Sequence, residues 1–160
     1  MSRNTRLFAC TPDDVFAVLA DGWLFPSWVV GASRMREVAD SWPQKGSHLH
    51  HSFGVWPVLI DDTTEVLEYD PPRHIVLKAR GWPIGEARVD LQVKPHPDGA
   101  LVRIQEEAVA GPGRLIPQVI LDIPLQLRNA ETLHRLAYLA EGRSSRPTDE
   151  TSAEEEGAAE

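Results

Sequence analysis

Turn signals recur at short intervals between residues 32 and 108, and they constrain the fold more than any other feature of the sequence. The segments "PQKG", "GVWP", "DPPR", "GWPIG" and "HPDG" carry the proline and glycine residues that mark turns. The stretches between them are too short to hold the helices that connect parallel strands. The pattern therefore predicts about six antiparallel strands joined by hairpins.

Helical patterns flank these strands on the N-terminal side. A short strand over about residues 4–10 precedes "TPDDVFAVLAD", in which Thr11 is a natural N-cap and Pro12 suits the first helical position. Gly22 ends this helix. The following "WLFPSWVVG" is interrupted by Pro26, so it predicts a second small helix or a turn.

A long amphipathic helix is predicted after "GPG", over residues 114–141. Pro124 lacks an amide hydrogen, so a kink or break is expected just before it. The predicted apolar stripe steps by three or four residues through Ile116, Ile120, Ile123, Leu127, Ala130, Leu133, Ala137 and Ala140. The whole pattern predicts an α+β fold in which a curved antiparallel sheet wraps around this helix, with two short helices after the first strand. Such an arrangement tends to leave a cavity between helix and sheet.

The length of 160 residues indicates a single domain, which we assign to residues 1–142. The tail, residues 143–160, is acidic and has no aromatic residue and no aliphatic residue larger than alanine, so we expect it to be disordered. Most such tails are solvated and have no role, although some tune the binding of partners.

Charge and hydropathy exclude two classes of partner. The net charge is −8, and the body of the chain has no basic block, so no nucleic acid is expected as a partner. No stretch is apolar for long enough to span a membrane. The N-terminus "MSRNTRLFAC" lacks an apolar signal core and Cys10 is the single cysteine, so we expect a cytoplasmic protein. The oligomeric state stays open, with a homodimer as one option.

Five stretches make the chain similar to a known superfamily: "TPDDVFAVLADG", "WVVGASRMREV", "EYDPPRHIVL", "PDGALVRIQEE" and "RNAETLHRLAYLAE". In this order, over about residues 3–141, they resemble the START-like superfamily with the helix-grip fold. Within it they resemble the polyketide cyclase/dehydrase and lipid-transfer-like proteins, often labelled SRPBCC. The resemblance implies a large, mostly apolar pocket for a hydrophobic small molecule. It does not imply a reaction, because members include cyclases, carriers and receptors.

Three histidines in "GSHLHHSFGVWP" form the most conspicuous cluster of chemically active side chains. Side chains alternate across a strand, so Leu49, His51 and Phe53 should face inward while His48 and His50 face outward. The outward pair has the spacing of two zinc ligands but lacks a nearby third one, so we expect no metal. An inward His51 is either a core histidine with a hydrogen-bond partner or a residue that touches the ligand.

The same alternation in "ALVRIQEEAV" turns Glu106 inward with Val102 and Ile104. A carboxyl group there is either an acid–base group or a buried hydrogen-bonding residue. Asp122, beside the apolar stripe of the long helix, is either a third such group or a polar residue associated with the kink. Asp61 and Asp62 interrupt a strand where a bulge is expected, and one of the two should face inward.

The large aromatic residues Trp28, Trp56 and Trp82 lie at element ends, where the rim of a cavity would be, although core packing explains them equally well. With Phe53, His51, Glu106 and Asp122 they complete the predicted ligand-binding set. No cofactor motif is present. The leading interpretation is a protein that binds a lipid- or polyketide-like molecule in a central cavity. The alternatives are a cyclase/dehydratase-type enzyme that uses His51 and Glu106, and an interaction protein with a filled core.

Overall fold

The computed structural model describes residues 2–81, 85–111 and 118–145 of the chain. Within them, an antiparallel sheet of seven strands is combined with three α-helices and one short 3₁₀ segment, Gly22–Leu24. The strands are β1 (Ser2–Phe8), β2 (Ala32–Val38), β3 (His48–Val55), β4 (Val58–Asp70), β5 (His74–Gly81), β6 (Gly85–His96) and β7 (Gly99–Ala110). The helices are α1 (Pro12–Leu19), α2 (Phe25–Trp28) and α3 (Gln118–Ser144).

The strands follow one another in the sheet in the order β1-β7-β6-β5-β4-β3-β2. The six strands β2 to β7 form consecutive hairpins, as the closely spaced turn signals predicted. β1 closes the order by pairing with the last strand, from Ser2 opposite Glu106 to Phe8 opposite Ala100. The antiparallel sheet, the short helices after β1 and the long terminal helix confirm the predicted α+β helix-grip fold.

The start of α1 shows why the helix begins where the sequence predicted. The Thr11 side chain accepts a hydrogen bond from the Asp14 backbone N–H at 3.2 Å, and the Asp14 carboxylate accepts one from the Thr11 backbone N–H at 2.9 Å. This reciprocal capping box satisfies two amides that the helix itself leaves free. α1 packs against α3, with Val15, Phe16, Val18 and Leu19 buried.

The core lies between the inner face of the sheet and the three helices. α3 packs on β1 and β7 and also on α1 and α2. Its described buried apolar residues join one cluster with the inward-facing residues of the sheet. Members of this cluster include Phe8, Leu49, Val66, Leu91, Val102, Leu133, Leu136 and Ala140.

Two details of α3 differ from the prediction. Of the kink or break expected near Pro124, the break is absent, because the helix runs without interruption from Gln118 to Ser144. The predicted stripe also fails in its middle, because Leu127 is 69% exposed and Ala130 is exposed. The buried face passes instead through Asn129, Thr132 and Leu136. The predicted stripe positions 116, 120 and 123 have side chains outside the described part of the structure.

The bulge expected at Asp61 and Asp62 lies elsewhere. β3 and β4 pair in regular register from His48 opposite Glu65 to Val55 opposite Val58. The register shift in β4 occurs on its other edge, between Val66 and Glu68 against β5. Asp61 and Asp62 therefore follow the ordinary alternation of a strand, so only one of them faces the core.

The helices that the structure describes include none whose length and apolar character would let it cross a bilayer.

Candidate functional site

A cavity of about 210 Å³ lies between the inner face of the sheet and helices α2 and α3. Most of its wall is apolar, with Phe25, Trp28, Phe53, Leu77, Val89 and Ile104 among the lining residues. Its volume is below the ~300 Å³ at which pockets for drug-sized ligands begin. A cavity of this volume therefore fits a small ligand or one part of a larger ligand.

The volume arises where three neighbouring strands carry alanine. Ala79 of β5 lies opposite Ala87 of β6, and Ala87 lies opposite Ala108 of β7. All three line the cavity. Ala79 and Ala87 are half-buried and Ala108 is exposed, so the row lies toward the open side of the cavity. A methyl group at each position leaves the space that a leucine or phenylalanine would fill.

His51 projects from β3 into the cavity and is 2% exposed. Its Nε2 lies 3.0 Å from Thr64 Oγ1, and its ring packs on Phe25 with centroids 5.0 Å apart. Burial lowers the pKa of His51 to about 4, against an opposing effect of the Ser52 backbone. The imidazole is therefore neutral near pH 7. Among the described residues, its Nδ1 has no hydrogen-bond partner.

Glu106 projects from β7 into the same cavity and is 6% exposed. Its Oε2 accepts a hydrogen bond from Arg128 Nη2 of α3, and the two charges form an ion pair. The same nitrogen lies 3.5 Å from Oδ1 of Asn129, whose side chain is fully buried. Asn129 Nδ2 and Arg128 Nε have no hydrogen-bond partner among the described residues. Buried donors of this kind cost about 1–3 kcal/mol each when they stay unpaired.

Asp62 is the member of the Asp61–Asp62 pair that faces inward. It lies opposite His51 in the sheet, lines the cavity and is 7% exposed. Its Oδ1 accepts a hydrogen bond from the Thr63 backbone N–H at 2.6 Å. Burial raises the pKa of Asp62, while the Thr63 amide and the charge of Arg80 act in the opposite direction.

Asp61 points to the other face of the sheet. Its side chain is 68% exposed and pairs with Arg36 at 3.5 Å. Ser52 Oγ donates a hydrogen bond to Asp61 Oδ1 at 3.0 Å. Asp61 and Asp62 are adjacent in sequence, yet the carboxylate of Asp61 is exposed and that of Asp62 is buried.

The structure brings four of the seven predicted ligand-binding residues together. Trp28, His51, Phe53 and Glu106 all line the cavity. Trp56 does not, because it lies at the β3–β4 turn and is 82% exposed. Trp82 lies outside the described residues, and of Asp122 the structure describes the helical backbone but not the side chain.

Sequence reasoning missed the contribution of α3 to the site. Arg128, Asn129 and Thr132 line the cavity, as do Asp62 and Thr64 of β4. One signal could have found the helical residues: Leu125, Asn129, Thr132 and Leu136 repeat at steps of four, three and four. Two polar residues on an otherwise apolar stripe mark a helix face that meets polar groups or a ligand.

The outward histidines are separate from this site. His48 is exposed, and His50 Nδ1 lies 3.2 Å from Thr63 Oγ1. In the part of the chain that the structure describes, no three His, Cys, Asp or Glu side chains are grouped to hold a metal. Burial raises the pKa of the Cys10 thiol to about 11, which makes the reactive thiolate rare at neutral pH.

Fold and cavity together define a helix-grip protein with a mostly apolar cavity between the sheet and the long helix. Comparison with protein families gives the particular family: residues 2–141 match the model described as "Polyketide cyclase / dehydrase and lipid transport". The chain belongs to this family. No curated protein matches it at a significant level.

Solved structures with the same fold include proteins of several kinds. Protein CV1439 from Chromobacterium violaceum is 20% identical, with a TM-score of 0.68 over 87% of this chain and 96% of that one. Protein NE0264 from Nitrosomonas europaea is 13% identical, with a TM-score of 0.70 over 90% and 96%. The di-domain ARO/CYC StfQ from the steffimycin biosynthetic pathway is 14% identical, with a TM-score of 0.72 over 90% of this chain and 52% of its own length. At these identities the likeness concerns the fold.

Proposed function

We propose that the protein binds a hydrophobic, lipid- or polyketide-like small molecule in the cavity between the sheet and α3. The observation that carries this proposal is the mostly apolar cavity, in which the row formed by Ala79, Ala87 and Ala108 leaves space along one wall. Transfer of apolar ligand surface into such a space contributes about 25 cal/mol per Å². The family to which the chain belongs, with its cyclases and lipid carriers, supports the same class of ligand.

Native mass spectrometry of the protein purified from its own host tests the proposal. We expect an additional bound mass that is released on denaturation. In Ala87→Phe the new ring projects into the cavity, so the bound mass should be lost. Val109→Phe is the matched control, because Val109 is 38% exposed and does not line the cavity. A bound mass that survives in Ala87→Phe contradicts binding at this place.

A second candidate function is a cyclase/dehydratase-type reaction in which His51 and Glu106 move protons. It is favoured by one observation: both side chains line the same cavity, and His51 is neutral near pH 7, so one of its ring nitrogens carries a free lone pair. The ion pair with Arg128 makes Glu106 the weaker of the two candidates.

Turnover separates the enzyme from the binding protein once the bound molecule is known. For an enzyme, His51→Gln should lower turnover by roughly 100-fold or more with little change in affinity, since a general base acts in the transition state. For a binding protein, the host-derived molecule should be recovered chemically unchanged after prolonged incubation with the wild-type protein. Recovery of a converted product favours the enzyme.

A further inference from the structure

The charged side chains that line the cavity bear on which hydrophobic molecules bind there. The inference drawn from them rests on the proposed function. Among the described lining residues there are three carboxylates, Asp62, Glu86 and Glu106, and two cations, Arg80 and Arg128. Both cations are engaged: Arg128 pairs with Glu106, and Arg80 Nε lies 3.3 Å from Glu86 Oε1. The lining that the structure describes therefore has no free positive charge.

Asp62 is the carboxylate left without an ion pair among these residues. It is 7% exposed, and its one described side-chain hydrogen bond is to the Thr63 amide. Arg36 Nη2 is directed at the Asp62 backbone oxygen at 3.4 Å, not at its carboxylate. His51 lies opposite Asp62 and is uncharged near pH 7. The charge of Arg80 lowers the pKa of Asp62, but Arg80 pairs with Glu86, so no cation in the described lining forms an ion pair with Asp62.

A ligand that carries a carboxylate would lose its hydration on entry and would meet this like charge. Desolvation of an unpaired ion costs far more than desolvation of a neutral polar group of the same size. An uncharged polar group meets better conditions, because its desolvation costs less and the charge of Asp62 does not repel it.

We propose that Asp62 is a specificity-determining residue that makes the cavity select uncharged apolar ligands and exclude carboxylates such as free fatty acids. The cavity then discriminates by charge, whereas its apolar wall accepts a wide range of shapes.

Three probes of one shape test this selection: 2-naphthamide, 2-naphthoate and 2-isopropenylnaphthalene. They share a bicyclic ring and a three-atom substituent that is a neutral polar group, a carboxylate and a hydrocarbon group, respectively. Affinities are measured by titration calorimetry at pH 7 with the full chain. We expect the amide to bind at least about tenfold more tightly than the carboxylate, the scale that corresponds to 1.4 kcal/mol.

Asp62→Asn tests the residue itself. Asparagine keeps the shape and can still accept the hydrogen bond from Thr63, while the charge is removed. The affinity for 2-naphthoate should rise by about fivefold or more, and the affinity for the hydrocarbon should stay the same. Asp61→Asn is the matched control, since it changes the net charge equally on the opposite face of the sheet and should leave all three affinities unchanged.

The outcomes separate this inference from the function on which it rests. If 2-naphthoate binds wild type as tightly as 2-naphthamide, or if Asp61→Asn raises its affinity as much as Asp62→Asn, the inference is overturned while hydrophobic binding stands. If none of the three probes binds, the proposed function is overturned as well. Thermal melting of each variant shows whether it is folded, and the wild-type comparison of amide with carboxylate decides the question without any variant.

Discussion

At the scale of the single residue, His51 makes the stability of the protein depend on pH. Its pKa is 6.5 in an ordinary setting and about 4 in the folded protein, because burial disfavours the charged ring. The unfolded chain therefore binds the proton first as the pH falls. The contribution of a neutral His51 is fully present above pH 6.5 and is lost progressively between pH 6.5 and 4, to a total of up to about 3 kcal/mol.

Urea unfolding of wild type and His51→Gln across this range measures the effect. The difference in unfolding free energy between the two should change steeply with pH between 6.5 and 4, with wild type losing stability toward acid. The raised pKa of Asp62 acts in the opposite sense at lower pH, and taking the difference between variants removes it. His48→Gln, at an exposed position, should follow wild type. Parallel curves for wild type and His51→Gln contradict the buried neutral imidazole.

Glu106 gives a second prediction at this scale. Glu106→Gln keeps the size of the side chain but leaves the partly buried guanidinium of Arg128 without its counter-charge. We expect a loss of about 1–3 kcal/mol in unfolding free energy, the range for a disturbed buried polar group. Glu107→Gln changes the next, exposed position and should stay within about 0.5 kcal/mol of wild type. Equal stability of the two variants would show that the ion pair contributes nothing.

The sequence predicted the direction of these side chains but not their partners. Strand alternation alone turned His51 and Glu106 inward, because one face of each strand is clearly more apolar. Alternation cannot show that Arg128 of a distant helix reaches Glu106, since that contact depends on how α3 lies over the sheet. It also left Asp61 and Asp62 undecided, because two adjacent acids give no apolar face from which to count.

At the scale of the element, the turn between α2 and β2 is held by a glycine that touches the site. Gly31 has φ +100°, and a Cβ there would collide with the ring of Phe53, which lines the cavity. Gly46 has φ +85°, but a Cβ added to Gly46 would have no described atom within 4 Å. Gly31→Ala and Gly46→Ala each strain the backbone by roughly 1–3 kcal/mol. Only Gly31→Ala also displaces a side chain of the cavity wall, that of Phe53.

Gly31→Ala should therefore destabilise the protein more than Gly46→Ala and should also weaken ligand binding. Denaturant unfolding gives the first comparison, and titration with 2-isopropenylnaphthalene gives the second. Gly46→Ala should lose stability alone. If both variants lose the same stability and bind equally well, Phe53 adapts freely and the turn does not shape the cavity.

The elements also show which features a sequence pattern predicts and which it does not. The hairpins of β2 to β7 and the capped start of α1 were predictable because turn and cap signals are local. The buried face of α3 was not, because the count through Leu127 and Ala130 assumed that the buried stripe is wholly apolar. The stripe through Asn129 and Thr132 is polar where it faces the cavity, so the residues that serve the site are those that break the pattern.

At the scale of the whole molecule, the acidic tail should add nothing to the stability of the domain. Residues 146–160 carry one arginine against six carboxylates and no large apolar side chain. Such a segment has little surface to bury, so its removal should leave the melting temperature nearly unchanged. Calorimetry of a chain that ends at Ser145 checks this expectation. A melting temperature lower by more than a few degrees would show that the tail docks on the domain.

The pairing of the first strand with the last has a consequence for synthesis on the ribosome. Each residue of β1 is 92 to 104 positions from its partner in β7, whereas every other strand pairs with one of its neighbours in sequence. β1 leaves the ribosome first and has no partner until β7 has followed. The hairpins from β2 to β7 can form as they emerge, but joining the two ends of the chain is a non-local step with a large loop-closure cost. The cavity, whose wall includes Glu106 of β7 and Asn129 of α3, is therefore among the last parts of the protein to form.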